Sequence, residues 1–523
     1  MSKRKSEPER SNTTAVAAGT GLYVILAAFG IMFGVYLATL LFLYPAMPII
    51  AHQAENIPGY DTHYPPFRVD EYNYHTIAGN LLAGRLYEEG SLERAYTVGF
   101  PVIAAPFVAV FGPRGGYIAN VFIVWLCLVL FYLIIRRYAS RPKSLVLTVV
   151  LAFATLNWFY ADSCYTEPFS QLLVLISFYF LTQNTDGKKR TAAIVAGIAA
   201  ALNLFVRPHY ILLAAPFFLY LGIDRERRLT FNRQALYFAG GSLAVIAVWM
   251  IRNAFVFGGP FTFEYSRLVD SYIPGAASSY MKGNIFLGSH RLLFDQYHGL
   301  FTITPIFLLF PVGLRSMWRQ GRWKESLLLF VSVLIMALFA ASSAYPFTEF
   351  GLGSRHMLPV VPLMVVPVAF FLDSGLFSRS VVTVLALYSF YHAGIGWFTG
   401  GEPGVGFYLG ILNESQSRAV ILSRKGLLPE KQFASEKVLI DAYLTALKEA
   451  NLMKLLKTMD PLVLEKIRGN ERTFMLFLRS QPNPAEFILA ADPAKGIIIK
   501  SFSISRGPMD GATAPPDTLR SEP

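Results

Sequence analysis

Two adjacent carboxylates, Asp70 and Glu71, open a short amphipathic stretch in an otherwise apolar chain. A carboxylate kept ionised at a bilayer surface can take a proton from a substrate hydroxyl as a general base. Tyr74, Ile77, Ala78, Leu81 and Leu82 follow at the i, i+3, i+4, i+7, i+8 spacing of one helical face. The spacing predicts an interfacial helix, apolar face down, with both acids at its N-terminus. Acids also favour helix starts for the dipole alone, so the pair does not by itself make an active site. Glu167, immediately before Pro168, is a third candidate carboxylate and has the same alternative use as a helix-starting acid.

Cations that could face such acids stand at the edges of apolar blocks. Arg355 with His356 and Arg291 with His290 are the main candidates, because a guanidinium matches phosphate oxygens bidentately. Their alternative use is to reach lipid headgroups from a helix end. Arg252 and the run Arg207-Pro208-His209 are similarly placed.

The elements that must position these groups are membrane helices. Of 523 residues 54% are hydrophobic and 15% charged, and the mean hydropathy is +0.43. Soluble domains carry about 25% charged residues. Apolar blocks fall at about 21–48, 116–135, 144–161, 168–183, 191–206, 209–223, 236–256, 299–314, 326–341, 357–372 and 380–398. The expected fold is an all-α polytopic membrane protein with about eleven transmembrane helices, interfacial helices in the first outer loop and a small C-terminal extramembrane region. Residues 1–20 form a cytoplasmic tail, 21–398 the transmembrane domain with its first outer loop at 50–115, 399–505 the extramembrane region, and 506–523 a disordered tail. The first apolar stretch is too long for a signal-peptide core and reads as an uncleaved helix.

Starting the N-terminus inside puts Arg136, Arg137, Arg141 and Lys143, then Lys188 to Arg190, Arg225 to Arg233, Arg315 to Lys324, and Arg379 on one side. That agrees with the positive-inside rule, and it accounts for the +12 charge without a nucleic-acid partner. It requires that Gly99 to Phe111, interrupted by Pro101 and Pro106, stays on the outer side without crossing. Asp70, Glu71, Glu167 and Arg355 then share that outer face. Cys127 and Cys164 read as packing residues.

The same residues carry a family resemblance. Asp70-Glu71-Tyr72-Asn73-Tyr74, Gly99-Phe100-Pro101, Thr166-Glu167-Pro168, Trp249-Met250-Ile251-Arg252-Asn253, Gly299-Leu300-Phe301 and Gly353-Ser354-Arg355-His356 follow in order over residues 20–375. Together they resemble the type C glycosyltransferases, which use polyprenyl-phosphate sugars. The resemblance implies an inverting transfer to an acceptor hydroxyl on the outer or periplasmic side of a prokaryotic plasma membrane. In that scheme Asp70 is the general base, and Glu71 positions acceptor or base. Glu167, Arg355, His356, Arg291, His290 and Tyr74 bind substrate. The donor is a polyprenyl-phosphate sugar, and the acceptor a glycan, a lipid or a protein. No cofactor is called for, although Asp70, Glu71 and Glu167 could together hold a divalent ion, as in some relatives. The competing class is a transporter or flippase for a lipid-linked saccharide. It fits less well, because the spans are nearly free of charge and show no repeat.

Overall fold

The computed structural model describes residues 11–43, 69–85, 96–183, 190–224, 232–262, 284–295, 299–343, 352–398, 433–448, 483–492 and 496–499, with isolated positions between them. The chain forms two compact units, one of residues 1–47 and 70–404, the other of 48–69 and 405–523.

Helix dominates the first unit. In chain order come α1 (Ser11–Ala38), α2 (Val69–Leu82), α3 (Gly99–Phe111), α4 (Gly115–Ile135), α5 (Arg141–Phe153) and α6 (Asn157–Ala161). They are followed by α7 (Glu167–Gln183), α8 (Arg190–Leu202), α9 (Ala214–Gly222), α10 (Arg233–Phe257) and α11 (Ile285–Phe294). After these come α12 (Phe310–Arg319), α13 (Trp323–Ser342) and α14 (Leu376–Phe398). Helical residues occupy every apolar block read from the sequence. Among the described residues five helices are long and apolar enough to cross a membrane: Leu22–Leu41, Gly99–Ile135, Arg233–Phe257, Trp323–Ser342 and Arg355–Leu372. The protein is an integral membrane protein built mainly of helices.

Small residues set the closest helix contacts. A Cβ on Gly197 of α8 would meet the Phe238 carbonyl of α10, and one on Gly241 of α10 would meet the Ile194 carbonyl. Ser242 Oγ donates to the Gly197 carbonyl at 3.0 Å, sealing the same contact. Close backbone approach of this kind is how helices associate where no water drives burial.

The Gly99–Ile135 stretch is broken rather than continuous. Gly112 takes φ +57°, and a Cβ on Gly115 would strike the backbone of Phe107 and Val108, so α4 folds back against α3. Both flanks of α3 attach to one layer of the protein. Thr97 Oγ1 donates to the Val206 carbonyl at 2.5 Å, while Gly116 packs on Cys164.

From Tyr117 to Arg137, α4 and its last turn rise about 30 Å at 1.5 Å per residue. The far end is basic. Arg137 Nη1 donates to Thr182 Oγ1 at 2.6 Å and to the Tyr179 carbonyl at 3.1 Å. Lys143 pairs with Asp373, and Lys324 donates to the Ile223 carbonyl at 2.5 Å.

Two expectations need correction. The chain is not purely helical, because the second unit contains the antiparallel pair β1 (Ile488–Asp492) and β2 (Gly496–Ile499). That pair and α15 (Glu436–Lys448) share a small core that includes Leu439, Tyr443, Leu447, Met459 and Ile497. Nor does α2 bury a single apolar stripe. Glu71, Asn73, Tyr74, His75, Ile77, Ala78 and Asn80 are all buried while Leu82 is half exposed, so protein surrounds most of this helix.

Candidate active site

Four charged side chains from distant parts of the chain meet in one cluster. Asp70 comes from the first turn of α2 and Glu167 is the first residue of α7. Arg207 is extended (φ −151°, ψ 102°), as the residue before a proline must be, and this breaks the helical path at Pro208. Arg355 opens a tight helical turn just after Gly353, which reverses the chain with φ +62°.

Each guanidinium touches both acids. Arg355 Nη1 donates to Asp70 Oδ2 at 2.7 Å, and its Nε lies 3.4 Å from Glu167 Oε1. Arg207 Nη2 lies 3.2 Å from Glu167 Oε1 and 3.7 Å from Asp70 Oδ2. The second oxygen of Asp70 accepts from the Tyr96 hydroxyl at 3.0 Å. Burial alone would raise the Asp70 carboxyl, but Arg355 and Arg207, with the hydrogen bonds from Arg355 and Tyr96, hold it below the ordinary carboxylate range. The Tyr96 phenol is pushed up, first by burial and then by the Asp70 charge beside it. Two negative and two positive groups thus compensate one another in a largely buried space.

Glu71 faces elsewhere. It is fully buried, and its oxygens accept from the Tyr117 hydroxyl at 3.1 Å and the Cys164 amide at 3.0 Å. It therefore ties α2 to α4 and to the turn that leads into α7. Asn120 fixes the same turn, donating to the Ser163 and Tyr165 carbonyls at 2.7 Å each. Thr166 closes it by accepting from Arg207 Nε at 3.0 Å. Both cysteines are free and buried, in keeping with a packing role.

The remaining walls are aromatic. Tyr74 is buried, edge-on to Tyr96 and Phe100, with the Arg207 guanidinium 6.0 Å from its ring centre. Tyr165 lies 5.1 Å from the Arg355 guanidinium carbon. His356 is buried beside Arg355 and meets His209 at 5.2 Å between ring centres, while His209 stacks on Phe339 at 4.4 Å.

Of the predicted site residues, Asp70, Glu167, Arg355, Tyr74 and His356 come together, with Glu71 one helix face away. His290 and Arg291 do not join them. Both are exposed on α11, and among the described residues neither bonds to the cluster. Arg252 stays with its own helix instead, donating to Asn253 Oδ1 at 3.0 Å with its guanidinium 5.2 Å from the Phe257 ring centre. The polar first-loop residues Asp61, His63 and Arg68 and the glycosylation-type triplet Asn413-Glu414-Ser415 lie outside the described residues. Arg207 has a larger place than its sequence suggested, and Tyr96 and Tyr117 had no sequence signal at all. The one available clue to Arg207 was Pro208. Among the described residues no three His, Cys, Asp or Glu side chains lie where they could hold a metal ion. The two acids of the cluster face guanidinium groups and the third faces Tyr117 and Cys164.

Asp70, Glu167, Arg207 and Arg355 thus form a largely buried acid–guanidinium cluster among the helices of the first unit. Residues 97–251 match the family described as Dolichyl-phosphate-mannose-protein mannosyltransferase, which bears out the resemblance to the type C glycosyltransferase superfamily read from the motifs. None of the curated protein sequences is significantly similar. Among solved structures the fold is similar to ArnT from Cupriavidus metallidurans bound to undecaprenyl phosphate, at 14% identity and TM-score 0.46, covering 78% of this chain and 69% of that one. It is also similar to the apo oligosaccharyltransferase of Archaeoglobus fulgidus, at 10% identity and TM-score 0.47, covering 77% of this chain and 60% of that one. The oligosaccharyltransferase AglB of the same organism, in complex with an inhibitory peptide and a dolichol-phosphate, aligns at 11% identity and TM-score 0.43 over 78% of this chain and 60% of that one.

Proposed function

We propose that this chain is a membrane glycosyltransferase that takes a sugar from a polyprenyl-phosphate donor and transfers it, with inversion, to an acceptor hydroxyl. The carrying observation is the pair of guanidiniums, Arg207 and Arg355, held against Asp70. A leaving phosphate needs such cations, and an attacking hydroxyl needs such a carboxylate. The acceptor oxygen attacks the anomeric carbon while the bond from that carbon to the phosphate oxygen breaks. Asp70 takes the acceptor proton, and Arg207 and Arg355 stabilise the charge that collects on the departing phosphate. Glu167 orients both guanidiniums, and Glu71 fixes α2 so that Asp70 faces them. Tyr74 acts from behind, packing Tyr96 into place, and His356 lines the adjoining wall.

The site faces the outer side in this reading, and about eleven helices cross. The bundle geometry supports it: the cluster and the basic residues Arg137, Lys143 and Lys324 lie at opposite ends of α4 and its neighbours, about one bilayer core apart. The attachment of both flanks of α3 to one layer supports its lying along the surface. The transmembrane domain is residues 21–398 in this reading, with an extramembrane region at 399–505 and tails at 1–20 and 506–523. The test is purified protein in vesicles given labelled polyprenyl-phosphate sugars and candidate glycan, lipid or protein acceptors. Release of polyprenyl phosphate coupled to labelled acceptor is expected. Movement of intact donor across the vesicle with no release would instead establish a transporter.

A further inference from the structure

The ion cluster is matched in charge but only partly in hydrogen bonds. Glu167 Oε1, Arg207 Nη2 and Arg355 Nε are all buried, and among the described residues none has a hydrogen-bond partner, although both nitrogens lie within ion-pair distance of that oxygen. Buried donors left in this condition are costly, and each calls for an explanation. Asp70 shows the opposite: both of its oxygens are occupied, one by Tyr96 and one by Arg355. The group meant to accept a proton is thus fully engaged, while the groups meant to hold phosphate have donors to spare.

We infer that Asp70 is an internal ligand of the phosphate subsite, and that binding of the donor phosphate between Arg207 and Arg355 displaces Asp70 and releases it to act as base. This rests on the glycosyltransferase reading above. A phosphate presents several oxygens where Asp70 presents one to Arg355, so it can satisfy Arg207 Nη2 and Arg355 Nε together. Asp70, once free of the guanidiniums, keeps Tyr96 on one oxygen and offers the other to the acceptor hydroxyl. The base is therefore switched on only when a donor is present. Without a donor, an acceptor or water meets a carboxylate already bound to Arg355. No bond is made or broken in this step; one anion replaces another on the same two cations.

The experiment compares binding of polyprenyl phosphate to wild type and Asp70→Asn in nanodiscs, together with a structure of the wild-type complex. Asp70→Asn removes the competing anion and should bind polyprenyl phosphate about tenfold tighter, equivalent to about 1.4 kcal/mol. The wild-type complex should show phosphate on Arg207 and Arg355, with Asp70 beyond ion-pair distance of Arg355. Equal or weaker binding by Asp70→Asn, or a phosphate bound while the Arg355–Asp70 pair persists, overturns the inference and leaves the proposed reaction standing. No binding of polyprenyl phosphate by wild-type protein would overturn both.

Discussion

The two ends of the helical bundle hold their charges in opposite ways. At the site end Asp70, Glu167, Arg207 and Arg355 are drawn from four separate stretches, and each cation touches both acids. At the other end each cation has its own separate oxygen partners, although Arg137 Nη2 is buried without one among the described residues. Arg137 uses a carbonyl and a hydroxyl, Lys324 a carbonyl, and Lys143 the partly exposed Asp373. Charges that only need to stay near water or lipid headgroups can be served by whatever oxygen is near. Four charges taken out of solvent together must be matched in number and position, because an uncompensated buried ion is strongly unfavourable. On the proposed function a substrate anion binds at that matched set, and a structural necessity becomes a means of recognition.

The sharpest way to break the comparison is to remove the proposed base. Asp70→Asn keeps the shape of the side chain and its contact with Tyr96 but loses the proton acceptor. Transfer measured as labelled product should fall about 10²–10⁴-fold, the range expected for loss of a general base. The variant should still insert and purify as a single species. Near-normal turnover would remove Asp70 from the mechanism and reduce the site end to a structural ion cluster.

Destabilisation is the next effect in size. Glu167 is completely buried and faces both guanidiniums, so Glu167→Ala leaves two cations with only Asp70 between them. Breaking a buried pair in this way costs about 3–5 kcal/mol. A large drop in melting temperature is expected in detergent, with Glu167→Gln intermediate. Unchanged melting would mean that water reaches the cluster and screens it.

How far these roles could be read from the sequence depends on distance along the chain. The helical blocks were legible, because hydropathy is a local property summed over about 20 residues. Asp70 was legible only as a helix-starting acid, and its proposed role came from the motif order that resembles the type C glycosyltransferases. Glu71 parts from Asp70 because neighbours on an α-helix point about 100° apart and Glu71 is held by Tyr117 and the Cys164 amide. Arg207 was harder. Its backbone shape is written in Pro208, but its partners come from residues 70 and 167, and no local pattern announces them. Tyr96 and Tyr117 were invisible for the same reason, each being defined by a contact with α2 rather than by its neighbours. Arg291 and Arg355 look alike in sequence, each beside a histidine at a block edge. Only packing separates them, since α11 presents Arg291 outward and the turn after Gly353 carries Arg355 inward.

The pH dependence sharpens the contrast at smaller scale. Asp70 is held below its ordinary range in the folded protein, so the stability it supplies is present above the unfolded-state value and is lost as pH falls through the folded one. The difference in melting temperature between wild type and Asp70→Asn should therefore be widest near neutrality and narrow below about pH 4. A difference that stays constant on acidification would show that Asp70 is not an ionised partner of Arg355 in the resting state.

The smallest effect belongs at the basic end. Lys143 and Asp373 form an ion pair whose side chains are 33% and 43% exposed. Solvent screens such a pair, and holding a long lysine in one geometry offsets part of what remains, so Lys143→Met should lower stability by less than about 1 kcal/mol. Transfer activity should be unchanged, since the change lies a bilayer core away from Asp70. Orientation is where this variant is informative. In the proposed orientation Lys143 is one of several cations that hold its loop on the inner side, and no single one of them should be decisive. An accessibility tag beside residue 143 should report the same side in wild type and variant. A shift of that tag would mean that orientation hangs on one residue, and the distributed satisfaction inferred for this end would be wrong.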